Sequence, residues 1–127
     1  MTTCTPCQNI RPGLVITALL LLTLVLHLGS AAAEPKKFTL INVALDDTKI
    51  WLPSSLIVHA GDEVEITLIN KLDLPHGFKI EAFGIETVLQ PMSQTTVRFT
   101  AANPGLYPFI CQLHPPHIGG EILVLEK

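Results

Sequence analysis

Cys111, His114 and His117 fall close together in CQLHPPHIGG, residues 111–120. A cysteine thiolate with imidazole nitrogens suits zinc or copper, whereas calcium and magnesium take oxygen ligands. Pro115 and Pro116 fix their own φ and push the residue before each towards extended geometry, so His114 is not expected on a helix. The loop is expected to be stiff and extended, with Gly119 and Gly120 letting the chain turn into a last strand. A further ligand has to come from elsewhere in the chain. His76, in DLPHGFKI after a proline-containing turn, is the candidate from a neighbouring strand. His59, in SLIVHAGD beside a turn, is expected to be a surface histidine at a strand end.

The elements that must position these side chains are strands. EVEITLIN alternates Val64, Ile66 and Leu68 with Glu63, Glu65 and Thr67, and TTVRFT sets Val97 and Phe99 against Thr96, Arg98 and Thr100. A period of two marks a strand with one buried face. FTLINVAL, SLIVHA, GFKIEAF, ETVLQ, GLYPFIC and EILVLE are further short runs rich in β-branched and aromatic residues. Turn signals separate them at Ala60-Gly61-Asp62, Lys71 to Pro75, Gln90-Pro91, Asn103-Pro104-Gly105 and Gly119-Gly120. No stretch after residue 34 sustains a helical period. Seven or eight short strands predict an all-β sandwich or barrel. Cys111 ends the run GLYPFIC, which places its sulfur at the rim of the core.

Ahead of this region, LVITALLLLTLVLHLGSAAA over residues 14–33 is apolar, follows one positive charge at Arg11, and ends in an Ala-x-Ala pattern. That is the anatomy of a secretory signal peptide over residues 1–33 or, if uncleaved, of an N-terminal membrane anchor. Cys4 and Cys7 form a C-x-x-C that would leave with it. Residues 34–127 then make one small domain with a single core. Only Arg11 of the eight Lys and Arg precedes residue 34, so seven basic residues face eleven Asp and Glu, a net of −4. The acids are scattered and there is no basic stripe, which excludes nucleic acid as the expected partner. Cys111 is the one cysteine left, and an odd thiol in an oxidising compartment points to a bridge between chains, a reactive thiol or a metal ligand. His114 three residues on favours the ligand.

VHAGDEVEITLINKLDLPHGF followed by TVRFTAANPGLYPFICQLHPPHIGGEILV resembles the cupredoxin family, over residues 38–126. The resemblance implies a Greek-key β-sandwich with one copper ion, Cu(I) or Cu(II), at one end. On that match His76, Cys111 and His114 take the three equatorial positions. His117 stands where the family usually has an axial methionine; Met92 and Glu121 are weaker axial candidates. HGFKIEAFGIETVL and the loop with its second histidine resemble the nitrosocyanin-like red copper proteins, which have a glutamate in place of His76 and a slightly longer loop. LPHGF also resembles the copper-A domain of nitrous oxide reductase, but a binuclear copper-A site needs two loop cysteines and only Cys111 is present.

A His₂Cys set with a long axial methionine gives blue copper. An axial imidazole, a stronger donor, implies a green or red site of lower potential. The function implied is electron transfer in the periplasm or outside the cell, with a redox protein such as a cytochrome as partner. Four protein ligands close the site, so the chain is not expected to be an enzyme. The alternatives are a nitrosocyanin-like copper protein that binds or transforms a small molecule such as nitric oxide, a copper carrier, or a tetrahedral zinc site. Most small cupredoxins are monomers and nitrosocyanin-like proteins assemble; a monomer is the expectation. Membrane attachment follows only if the N-terminal segment stays on.

Overall fold

The alternation in the sequence becomes two sheets around one core. The computed structural model describes residues 33–114 and 119–127. The signal-segment expectation, up to residue 32, and those for Pro115, Pro116 and His117 lie outside the described residues.

The first sheet has the order β2-β1-β4-β7, from β1 (Lys36–Leu45), β2 (Thr48–Leu52), β4 (Asp62–Asn70) and β7 (Gln94–Ala101). The second has the order β3-β9-β8, from β3 (Ser55–His59), β8 (Gly105–Phe109) and β9 (Gly120–Leu125). A hairpin of β5 (His76–Ile80) and β6 (Ile85–Leu89) extends this second sheet. Its link to β8 is a pair of backbone hydrogen bonds: Lys79 N–H to the Ile110 carbonyl at 2.9 Å, and Ile110 N–H to the Lys79 carbonyl at 3.0 Å. β1 runs parallel to β4 and β3 parallel to β9, so each sheet is closed by strands distant in sequence. The all-β expectation is met, and the layering is a β-sandwich.

Burial follows the period of two. On β4, Val64, Ile66 and Leu68 are buried while Glu63 and Thr67 are not. On β7, Phe99 is buried and Arg98 and Thr100 are exposed, where they meet the facing β4 strand as the pairs Arg98–Glu65 and Thr100–Glu63. Such exposed pairs add at most about 1 kcal/mol each. The stabilisation lies in the core, where Trp51 meets Phe78 edge to face at 5.3 Å and Phe78 meets Phe109 at 5.2 Å. All three rings are fully buried. Each contributes about 2–3 kcal/mol of burial, with roughly 1 kcal/mol more per ring pair.

Two elements differ from expectation. β2, TKIWL, was not foreseen, because five residues with one buried position show too little period. The run GFKIEAF stays extended only to Ile80 and then forms a 3-10 turn, Glu81–Phe83, closed by Gly84. The seven or eight strands foreseen are nine among the described residues.

Phe78 lies between Trp51 and Phe109 and follows the first two residues of β5. Phe78→Ala should lower stability by about 3–5 kcal/mol, read by urea unfolding. A loss under about 1 kcal/mol would show that this ring is not the centre of the core.

Candidate metal centre

β5 begins with His76, which is fully buried. Its approach is set by Asn70, the last residue of β4, also fully buried. The Asn70 side-chain amide donates to the carbonyls of Leu74 at 2.8 Å and Gln90 at 3.0 Å, and its oxygen accepts the Leu72 N–H at 3.1 Å. Met92 N–H adds a bond to the Leu72 carbonyl at 3.2 Å. The loop Lys71–Pro75 is thereby fastened to the turn after β6. Each such bond contributes about 1 kcal/mol net, and a buried partner left unmade costs more.

Cys111 follows the Lys79–Ile110 bond pair by one residue and is buried. Gln112 and Leu113 form a turn and His114 a bend, so the loop folds back here instead of running extended as expected. The turn brings three donors together. Cys111 Sγ lies 3.8 Å from His76 Nδ1 and 3.8 Å from His114 Nδ1, and all three donor atoms lie within 4.8 Å of one another. The two imidazole rings are 4.7 Å apart at 45°. The sulfur also accepts the Gly77 N–H at 3.2 Å. His114 is half-buried and forms the open edge of the cluster. The sequence placed His76, Cys111 and His114 as ligand candidates, and the fold brings these three side by side; His117 lies outside the described residues.

The donor set fits one first-row ion. Bonds of about 2.3 Å to sulfur and about 2.0 Å to nitrogen, opened to about 120°, separate the sulfur from each nitrogen by roughly 3.7 Å. Burial, which disfavours the imidazolium, pushes the His76 pKa below the ordinary 6.5, and His114 and Lys49 push the same way while Asp73 opposes them. His76 is therefore held neutral at physiological pH, the form that binds metal.

The other candidates lie apart from the cluster. His59 ends β3, exposed, with its backbone N–H on the Asp62 carboxylate at 3.0 Å. Met92 is exposed on the turn after β6, and Glu121 is exposed on β9. A Cβ on Gly119 would meet the Phe109 carbonyl, and one on Gly120 the Ser54 carbonyl and the Phe109 ring. Close packing excludes side chains there. Asn70, Gly77 and Gln112 are the residues missed. A polar residue at an inward position of EVEITLIN was the available signal for Asn70.

A sandwich with a buried cysteine sulfur and two imidazoles side by side is the architecture of a copper-binding cupredoxin. The chain belongs to the cupredoxin-like domain family, whose model matches residues 15–124. It is 33% identical over 57 residues to the nitrous-oxide reductase of Stutzerimonas stutzeri, covering 42% of this chain and 9% of that protein. It is 32% identical over 80 residues to cytochrome c oxidase subunit 2 of Thermus thermophilus, covering 60% and 58%. Among solved structures, the copper nitrite reductase of Nitrosomonas europaea superposes with a TM-score of 0.65 at 23% identity, over 74% of this chain and 42% of that one. The chain thus spans less than two thirds of each of these proteins.

These comparisons correct one expectation. The closed four-ligand site led to the view that the chain is not an enzyme. The proteins it matches are reductases and an oxidase subunit, enzymes or enzyme components, matched distantly and in part. A closed copper site is no argument against belonging to such machinery, because a redox enzyme needs a group that passes electrons as well as one that turns over substrate.

A pH dependence follows from His76. Its folded pKa lies below the unfolded 6.5, so the unfolded chain takes up the proton first. The stability associated with neutral His76 is full above about pH 6.5 and is lost as the pH falls towards the lower folded value. Scanning calorimetry of the metal-free protein between about pH 7.5 and 5.5 should show a fall in Tm that His76→Gln reduces. Equal falls in both proteins would remove His76 as the cause.

Proposed function

We propose that this chain is a mononuclear copper electron-transfer domain. His76, Cys111 and His114 hold the ion and His117 is the fourth ligand. The observation that carries this reading is the buried Sγ with two Nδ1 atoms at 3.8 Å each, close to the sulfur–nitrogen separations one bound ion needs. Bound copper supplies one-electron chemistry between Cu(I) and Cu(II). The chain's own residues do the rest. Neutral His76 and the sulfur of Cys111 are held among close-packed strands, and their burial excludes water. His114, half-buried, is the edge where a redox protein such as a cytochrome comes closest. The proposed setting is the periplasm or the outside of the cell, which suits a leader-like apolar run at residues 14–33. Among the described residues no helix is long and apolar enough to cross a membrane.

A second reading is favoured by one finding. Nitrous-oxide reductase and copper nitrite reductase, by their names, act on small nitrogen oxides, and the chain resembles both. On this reading a small molecule such as nitric oxide binds at the copper. Azide or nitric oxide added to the copper-loaded protein separates the two: an unchanged optical spectrum supports a closed electron-transfer site, and a shifted one supports a ligand site.

The copper reading itself is tested on the thiolate. Cys111→Ser should abolish the intense thiolate-to-copper charge-transfer colour of the Cu(II) protein; a spectrum that survives intact overturns it. His117→Met should move the dominant band towards that of blue copper and raise the reduction potential. No change in either would show that His117 is not a ligand.

A further inference from the structure

We propose that Gln112 is a positioning residue that locks the cysteine loop across β5 onto β6, and that Gly77 is a glycine to let it pass. The Lys79–Ile110 pair, continued antiparallel for two residues, sets Gly77 against Gln112. From there the Gln112 side chain reaches over β5, and its Nε2 donates to the Thr87 carbonyl on β6 at 3.1 Å. Thr87 stands opposite Phe78 in the hairpin, so the amide spans a whole strand. It can do so only where that strand has no side chain. A Cβ on Gly77 would coincide with the Gln112 amide group.

The lock acts on the sulfur. Gly77 gives its N–H to Cys111 Sγ, and Gln112 is the residue that follows Cys111. Holding Gln112 on Thr87 therefore fixes the thiol above the Gly77 amide and covers that bond. Hydrogen bonds to the cysteine sulfur and the residues that orient them tune such sites. The Gln112 side-chain oxygen is buried without a hydrogen-bond partner among the described residues. An amide kept in that position at a cost is held there by the bond to Thr87 and the fit over Gly77.

The inference depends on the copper reading for its consequence, but its geometry is testable without copper. In the metal-free protein, the exchange rate of the residue-77 amide and the alkylation rate of Cys111 by iodoacetamide report the lock. Gln112→Ala should raise both about tenfold, the loss of one buried hydrogen bond. Gln112→Leu, which keeps bulk but cannot donate to Thr87, should raise them too. Gly77→Ala should do the same in the wild-type background and change them less than about twofold beside Gln112→Ala, because the Cβ then has room. Wild-type rates in Gln112→Ala or Gln112→Leu, or an undiminished Gly77→Ala effect in the double variant, would overturn the proposal. If Gly77→Ala does not fold alone, the two Gln112 variants decide. With copper, Gln112→Ala should also displace the charge-transfer band, and an unmoved band would overturn the positioning role. Failure of the copper reading shows separately, in the Cys111→Ser spectrum.

Discussion

Two backbone hydrogen bonds, exchanged between Lys79 and Ile110, determine where everything at the metal end lies. They are what fastens the β5–β6 hairpin to β8. His76 is three residues before one partner and Cys111 one residue after the other. Fixing that single pair therefore fixes the imidazole and the sulfur relative to each other. Gly77 then faces the sulfur with its N–H, and Gln112 crosses to Thr87. A slip of one residue would put His76 and the sulfur on opposite faces. The rings of Phe78 and Phe109 beneath the pair resist such a slip, because both would have to leave a filled core.

The same end of the sandwich holds an unusual concentration of buried polar groups. Asn70 and His76 have no exposed surface and Cys111 almost none. Burying such groups is unfavourable unless each finds a partner. Asn70 meets the condition with three loop groups, and the sulfur meets part of it with the Gly77 N–H. Neutral His76 lies beside that sulfur, its Nδ1 3.8 Å away. The burial accounts for the low His76 pKa, and the donor types suit a soft or borderline cation.

Much of this was legible in the residues. Alternation in EVEITLIN and TTVRFT gave the buried faces of β4 and β7, since a strand repeats every two residues whatever it packs on. The three side chains that cluster were legible as candidates because Cys111 and His114 are near in sequence and His76 sits at a strand entrance. β2 was not, being too short to show a period. Nor were the Gln112 lock and the tight fits at Gly119 and Gly120, because each depends on which residue of a distant strand lies opposite. Cross-strand register is a property of the assembled sheet, and no local pattern encodes it. The expectation about enzymatic function failed for another reason. It argued from the number of ligands at one site, whereas membership of an enzyme depends on what else that site is joined to.

β9 is the last strand in sequence and the middle strand of β3-β9-β8. A chain still being made, which has reached Phe109, possesses β3 and β8 but not the strand that lies between them. Its cysteine loop has not been synthesised, and two strand edges remain open to stray pairing. The order of synthesis thus keeps the thiol and its histidines from assembling early. Contacts this distant in sequence also form slowly. The sandwich closes only once β9 has been made, and the three clustered donors come together in that same step and not one by one.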